Sequence, residues 1–127
     1  MDLTELLTGA VERVPGAVAI SLLGVDGVAV ETINSVKPAE DGAEAALGPT
    51  DAWEVELADL MRDARRATQS LEWGRVRHLT LETPNLALVA HMISADYFVL
   101  LVLQPAGRLG RAGVELRRVA RTIADSL

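Results

Sequence analysis

The stretch Val14–Ile33 reads VPGAVAISLLGVDGVAVETI and holds Gly16, Gly24 and Gly27 between short apolar runs. These glycines serve either a loop that cradles phosphate or a turn between strands, and the choice decides the fold. A phosphate loop joins a strand to a helix whose N-terminus faces the anion. Here runs of strand length lie on both sides, Ala17–Leu23 before and Val28–Ile33 after. There is no GxGxxG and no glycine-led Lys followed by Ser or Thr. Asp26-Gly27 is instead a hairpin signal, in which glycine supplies the positive φ that the turn requires. In the first strand Val18, Ile20 and Leu22 are expected on one face, with Ala17, Ala19, Ser21 and Leu23 on the other.

Outward from the hairpin, Asp2–Val14 sets Leu3, Leu6, Leu7, Ala10, Val11 and Val14 on one helical face. Asp2 or Thr4 caps its start and Pro15-Gly16 stops it. Residues 34–50, NSVKPAEDGAEAALGPT, are rich in Ala, Gly, Pro and acids and read as a flexible acidic connector. Thr50 or Asp51 then caps a long helix that runs to about Leu71, with Gly74 as its stop. Arg75–Glu82, Leu86–Ile93 and Tyr97–Gln104 follow as strands joined by Thr83-Pro84-Asn85 and Ser94-Ala95-Asp96. Such links are too short for crossover helices, so the three strands are antiparallel neighbours. Residues 86–93 and 97–103 are apolar on both faces and belong inside the sheet; the mixed runs 28–33 and 75–82 belong at its edges. Arg108–Leu127 closes the chain as a helix with Leu109, Ala112, Leu116, Val119, Ala120, Ile123 and Leu127 in one stripe. Arg111, Glu115, Arg118 and Thr122 are expected opposite, with Arg111 and Glu115 as an ion pair. The expectation is one α+β domain spanning 1–127 in the order αββαβββα, an antiparallel sheet with helices above and below.

With 127 residues, half of them hydrophobic and 3% aromatic, the core must be aliphatic. No cysteine is present, which excludes disulfides, thiolate metal sites and a thiol nucleophile. The net charge of −6 divides unevenly: residues 1–60 carry twelve acids against Arg13 and Lys37, residues 61–127 ten arginines against six acids. An acidic whole argues against nucleic acid as the main partner. The N-terminus carries acids rather than a basic leader, and the longest apolar run, Tyr97–Leu103, is too short to cross a bilayer. A cytoplasmic protein with no membrane insertion is expected.

No residue constellation nominates chemistry. His78 and His91 fall on different strands with no carboxylate cluster spaced for a metal. His91, between Ala90 and Met92, reads as a core or sheet-surface residue rather than a base. Ser21, Ser70 and Ser94 have no His-Asp arrangement nearby in sequence. The expectation is no catalytic, cofactor-binding or metal-binding residue. The long helix is more informative. Trp53, Leu57, Leu60, Ala64, Ala67 and Leu71 recur at 4-3-4-3-4, the heptad spacing of a helix-to-helix seam. Ala58, Met61 and Arg65 form a neighbouring, more mixed face. The edge strand with Val76 and His78 follows directly, and an open edge invites pairing with a second copy. Together these residues read as a homodimer interface, and Glu54, Glu56 and Asp59 as a solvated helix face.

VERVPGAVAISLLGVDGVAVET, residues 11–32, resembles the Roadblock/dynein light chain family, and within it the bacterial MglB-like group. The shared pattern is a helix ending in a valine-proline-glycine turn, a strand, then Asp-Gly into a second strand. LGRAGVELRRVARTIADSL, residues 109–127, is similar to the family's last helix. The resemblance implies a five-stranded sheet of roadblock/profilin-like type, with the long helix on one face and the terminal helices on the other. It implies dimers built through the long helix and the strand after it, and a non-catalytic regulator or scaffold that binds a small Ras-like GTPase. MglB-like members stimulate GTP hydrolysis without inserting a catalytic residue, in cell polarity, gliding motility or signalling. On that analogy Glu54, Glu56, Asp59, Arg62, Arg65 and Arg66 face the GTPase. The alternative is a small-molecule sensor of profilin-like or PAS-like architecture.

Overall fold

The glycine-rich stretch folds as a hairpin. The computed structural model describes residues 2–35, 47–48, 50–105 and 107–126. In it strand β1 (Ala17–Gly24) pairs antiparallel with β2 (Ala29–Asn34). Gly27 donates its N–H to the Gly24 carbonyl at 3.0 Å, and Asp26 Oδ1 accepts from Val28 N–H at 3.0 Å. Gly27 adopts φ = +92°, a conformation that costs a residue with a Cβ about 1–2 kcal/mol.

The remaining elements are α1 (Leu3–Arg13), α2 (Thr50–Ser70), β3 (His78–Glu82), β4 (Ala87–Met92), β5 (Tyr97–Leu103) and α3 (Leu109–Asp125). The order αββαβββα is the expected one. The five strands form one antiparallel sheet, β2-β1-β5-β4-β3, with β2 and β3 at its edges and the most apolar strand, β5, at its centre. Of the expected connector 34–50, residues 36–46 and 49 lie outside the described residues, as do the side chains of Thr50 and Asp51.

Two cores sandwich the sheet. On one face α1 and α3 bring Leu7, Val11, Leu116 and Val119 against Ile20, Leu22, Val89, Val99 and Leu101. On the other, α2 brings Trp53, Ala58 and Met61 against Ala19, Leu23, Leu88, Ala90, Phe98 and Leu100. Strict alternation fails at one position. Val18 packs in the α2 core with Ala19, not with Ile20 and Leu22, because the β1–β5 register slips between Ala17 and Ala19. A bulge adds one residue to a strand and turns the side chains before it to the opposite face.

The α1 cap is one of the two expected, whereas the stop of α2 and the charges on α3 differ from expectation. Asp2 caps α1, its Oδ1 accepting from Glu5 N–H at 3.2 Å. The end of α2 is set before Gly74: Trp73 N–H reaches the Thr68 carbonyl at 2.9 Å and Glu72 N–H the Gln69 carbonyl at 3.1 Å. That pair of bonds is a Schellman motif, and Glu72 holds its left-handed position at φ = +57°. On α3, Glu115 is buried rather than solvated, and it pairs not with Arg111 but with Arg13 at 3.2 Å and Arg118 at 3.0 Å. Burial opposes its charge, but hydrogen bonds from Arg118 and Arg13 outweigh that and hold the carboxyl below its usual range. The ion pair ties α1 to α3 behind the sheet. Leu127 lies outside the described residues. No helix among the described residues is long and apolar enough to cross a membrane.

Candidate interaction surface

Helix α2 carries two stripes, one residue out of step and so about 100° apart. The mixed stripe covers the sheet: Glu54, Ala58 and Met61 are buried, and Arg65 and Thr68 half-buried. Small Ala58 lets the helix approach the strands, and Arg65 can lay its stem on apolar surface with its head in water. The heptad stripe therefore lies to one side of the sheet contact. Trp53 is buried, Leu57 and Ala64 are half-buried, and Ala67 is exposed. Leu60 is 37% exposed and Leu71 55%. Six positions with apolar side chains thus run from the sheet boundary into open surface along one line.

Edge strand β3 lies beyond β4 and pairs with no other described strand. Before and along it, Val76 is half-buried and His78 exposed, while Leu81 is 39% exposed. Between α2 and this edge lies a hollow of about 390 Å³ lined mainly by Trp53, Leu57, Leu81, Leu86 and Leu88. The Trp53 Nε1 is buried and has no hydrogen-bond partner among the described residues.

The residues expected to face a GTPase divide. Glu54 is only 4% exposed, and its Oε2 accepts from Ser21 Oγ and Thr32 Oγ1, each at 2.6 Å. It belongs to the sheet contact, not to a solvated face, because its position on the helix is in step with Ala58 and Met61. Glu56, Asp59, Arg62 and Arg66 are exposed and Arg65 is half-buried. Arg62 pairs with Asp59 and donates to the Val25 carbonyl in the hairpin turn. Arg66 pairs with Asp63 at 3.1 Å. These exposed i,i+3 pairs contribute little to stability and keep the charges available to a partner. Sequence reasoning missed Trp73, 76% exposed just past the helix. A large aromatic beside a helix stop was the available signal. Among the described residues no group of three or more His, Asp or Glu could hold a metal.

No family model matches the sequence, and no curated protein matches it. Among solved structures the chain is similar to MglC from Myxococcus xanthus, with 30% identity over 100% of both chains and a TM-score of 0.74. A Roadblock/LC7 domain from Streptomyces avermitilis matches at 20% identity, over 99% of this chain and 98% of that one, with a TM-score of 0.80. The chain belongs to the Roadblock/LC7 family. The gliding protein MglB from Thermus thermophilus shares the fold at 15% identity, over 97% of this chain and 86% of that one, with a TM-score of 0.82. Membership accords with the hairpin and the last helix on which the resemblance rested.

Proposed function

We propose that this Roadblock/LC7 protein is a homodimer that binds a small Ras-like GTPase and regulates it without chemistry of its own. The observation that carries the reading is the line Leu60, Ala67 and Leu71, open on α2 at heptad spacing beside the unpaired edge β3. Covering an exposed leucine removes apolar area worth about 1 kcal/mol or more, and two-fold symmetry doubles each contribution. Trp53, Leu57, Leu60, Ala64, Ala67, Leu71, Val76 and His78 form the interface, and the recess beside Trp53 takes a partner side chain. Helix packs on helix while β3 continues the sheet into the second copy.

Glu56, Asp59, Arg62, Arg65 and Arg66 then flank the paired helices and read the GTPase surface. Hydrolysis is stimulated by aligning the GTPase's own groups with the γ-phosphate rather than by inserting a catalytic residue. A role in cell polarity, motility or signalling within the cytoplasm belongs to the same proposal, and the fold is one that a gliding protein shares. Light scattering at micromolar concentration is expected to give twice the 13.6 kDa chain mass, and Leu60→Arg is expected to return it to one chain, because an unpaired charge is forced into the seam. A wild-type monomer refutes the interface. Phosphate release from candidate small GTPases tests the rest: stimulation is expected from at least one, and neither binding nor stimulation across a genome's set refutes regulation.

A further inference from the structure

Among the described residues of this acidic chain a strongly basic region lies at the β3–β4 end of the sheet, bordering the proposed seam at Val76 and His78 and extending behind the sheet to α3. Between the β3–β4 end of the sheet and the C-terminal half of α3 is a hollow of about 510 Å³. Arg77, His78, His91, Arg117 and Arg121 line it, with Met92 and Ile93 as an apolar floor and no Asp or Glu. A second hollow of about 920 Å³ shares Arg77, His91, Met92 and Ile93 and adds Arg65, Arg75 and the exposed Trp73, again with no acid.

The cations here are gathered without carboxylate partners among the described residues, as are the separate Arg108 and Arg111 at the start of α3. Arg13, Arg62, Arg66 and Arg118 each pair with a carboxylate. Arg75, Arg77, Arg117 and Arg121 form no ion pair with a described residue. The rings of His78 and His91 stack at 5.5 Å. Burial first, and then the neighbouring His78 and Arg117, hold the His91 pKa below its ordinary value. Guanidiniums do not lose their charge at any working pH, so an uncompensated group of them repels itself and attracts anions.

We propose that the two adjoining hollows dock an acidic segment of a partner protein, whose Asp and Glu carboxylates engage the forks of Arg77, Arg117 and Arg121. Arginine forks match carboxylates in bidentate geometry. The hollows lie in series, and Met92, Ile93 and Trp73 offer apolar contact beside the cations. An extended chain with acids and apolar side chains interspersed meets both features, whereas a small free anion would meet only the charge.

The test uses a labelled short peptide of alternating glutamate and leucine, its glutamine counterpart, inorganic phosphate and a single-stranded oligonucleotide. Fluorescence anisotropy at low salt is expected to show binding of the acidic peptide alone, weakening as salt is added. Arg117→Gln combined with Arg121→Gln should weaken it about tenfold or more, and Arg77→Gln provides an independent variant on another element. In NMR spectra the His91 ring signals should move on titration with the acidic peptide and titrate at higher pH in its presence. Equal binding of the glutamine peptide, no effect of either variant, or no binding overturns the proposal. Tighter binding of phosphate or oligonucleotide also overturns it, in favour of phosphate recognition. Arg117 and Arg121 lie behind the sheet, so the mass of the same samples reports separately on the α2 seam.

Discussion

Glu54 shows how a single carboxylate can mislead. In the sequence it stands among Glu56 and Asp59 and reads as part of a wet face. In the fold it points at the sheet and takes hydrogen bonds from Ser21 and Thr32, hydroxyls contributed by two adjacent strands. Those partners lie 33 and 22 residues away, so no local pattern announced them. The clue that existed was spacing: Glu54, Ala58 and Met61 are in step. Glu54→Leu is expected to cost about 2 kcal/mol, because two hydroxyls at a buried site lose their acceptor. Adding Ser21→Ala and Thr32→Val should recover most of that, since replacing all partners of a buried polar group by apolar ones is close to neutral. Urea midpoints of the single and triple variants decide it: a triple variant no better than the single one would mean that the glutamate contributes by packing. Glu115 repeats the lesson, its arginine from α1 being invisible to a helix-local pairing rule.

At the scale of elements the sequence was largely legible. Three helices and five strands fall close to where periodicity and turn residues put them, and the heptad and mixed stripes of α2 were both visible. What could not be read was which stripe meets the sheet, because that depends on strand side chains far away. The β1 bulge was equally hidden, being a property of its pairing with β5. The stop of α2 was placed at a glycine, yet the left-handed position falls to Glu72. Glycine there would avoid the Cβ penalty, so Glu72→Gly is expected to stabilise the protein by about 0.5–1 kcal/mol and raise Tm by about 2–4 °C. A thermal melt with no rise would show that other contacts hold this helix end.

The whole molecule separates stability from availability. β5 and β4 are enclosed on both faces, whereas β3 is open along one side. Amide hydrogen exchange should therefore be slowest in β5 and fast at β3 in the Leu60→Arg variant. In the proposed wild-type dimer β3 should slow markedly; equal β3 exchange in the two proteins would exclude edge pairing. The fold and its open surfaces follow from this division more readily than any reaction could, since the features that were legible are patterns of burial. The two tryptophans stand on opposite sides of it. Trp53 is 8% exposed beside its recess and Trp73 76% exposed in the open. Their emission accordingly forms two channels, a blue-shifted one that a dissolved quencher scarcely reaches and a red-shifted one that it extinguishes. The unlabelled protein thus carries its own optical readout of each surface.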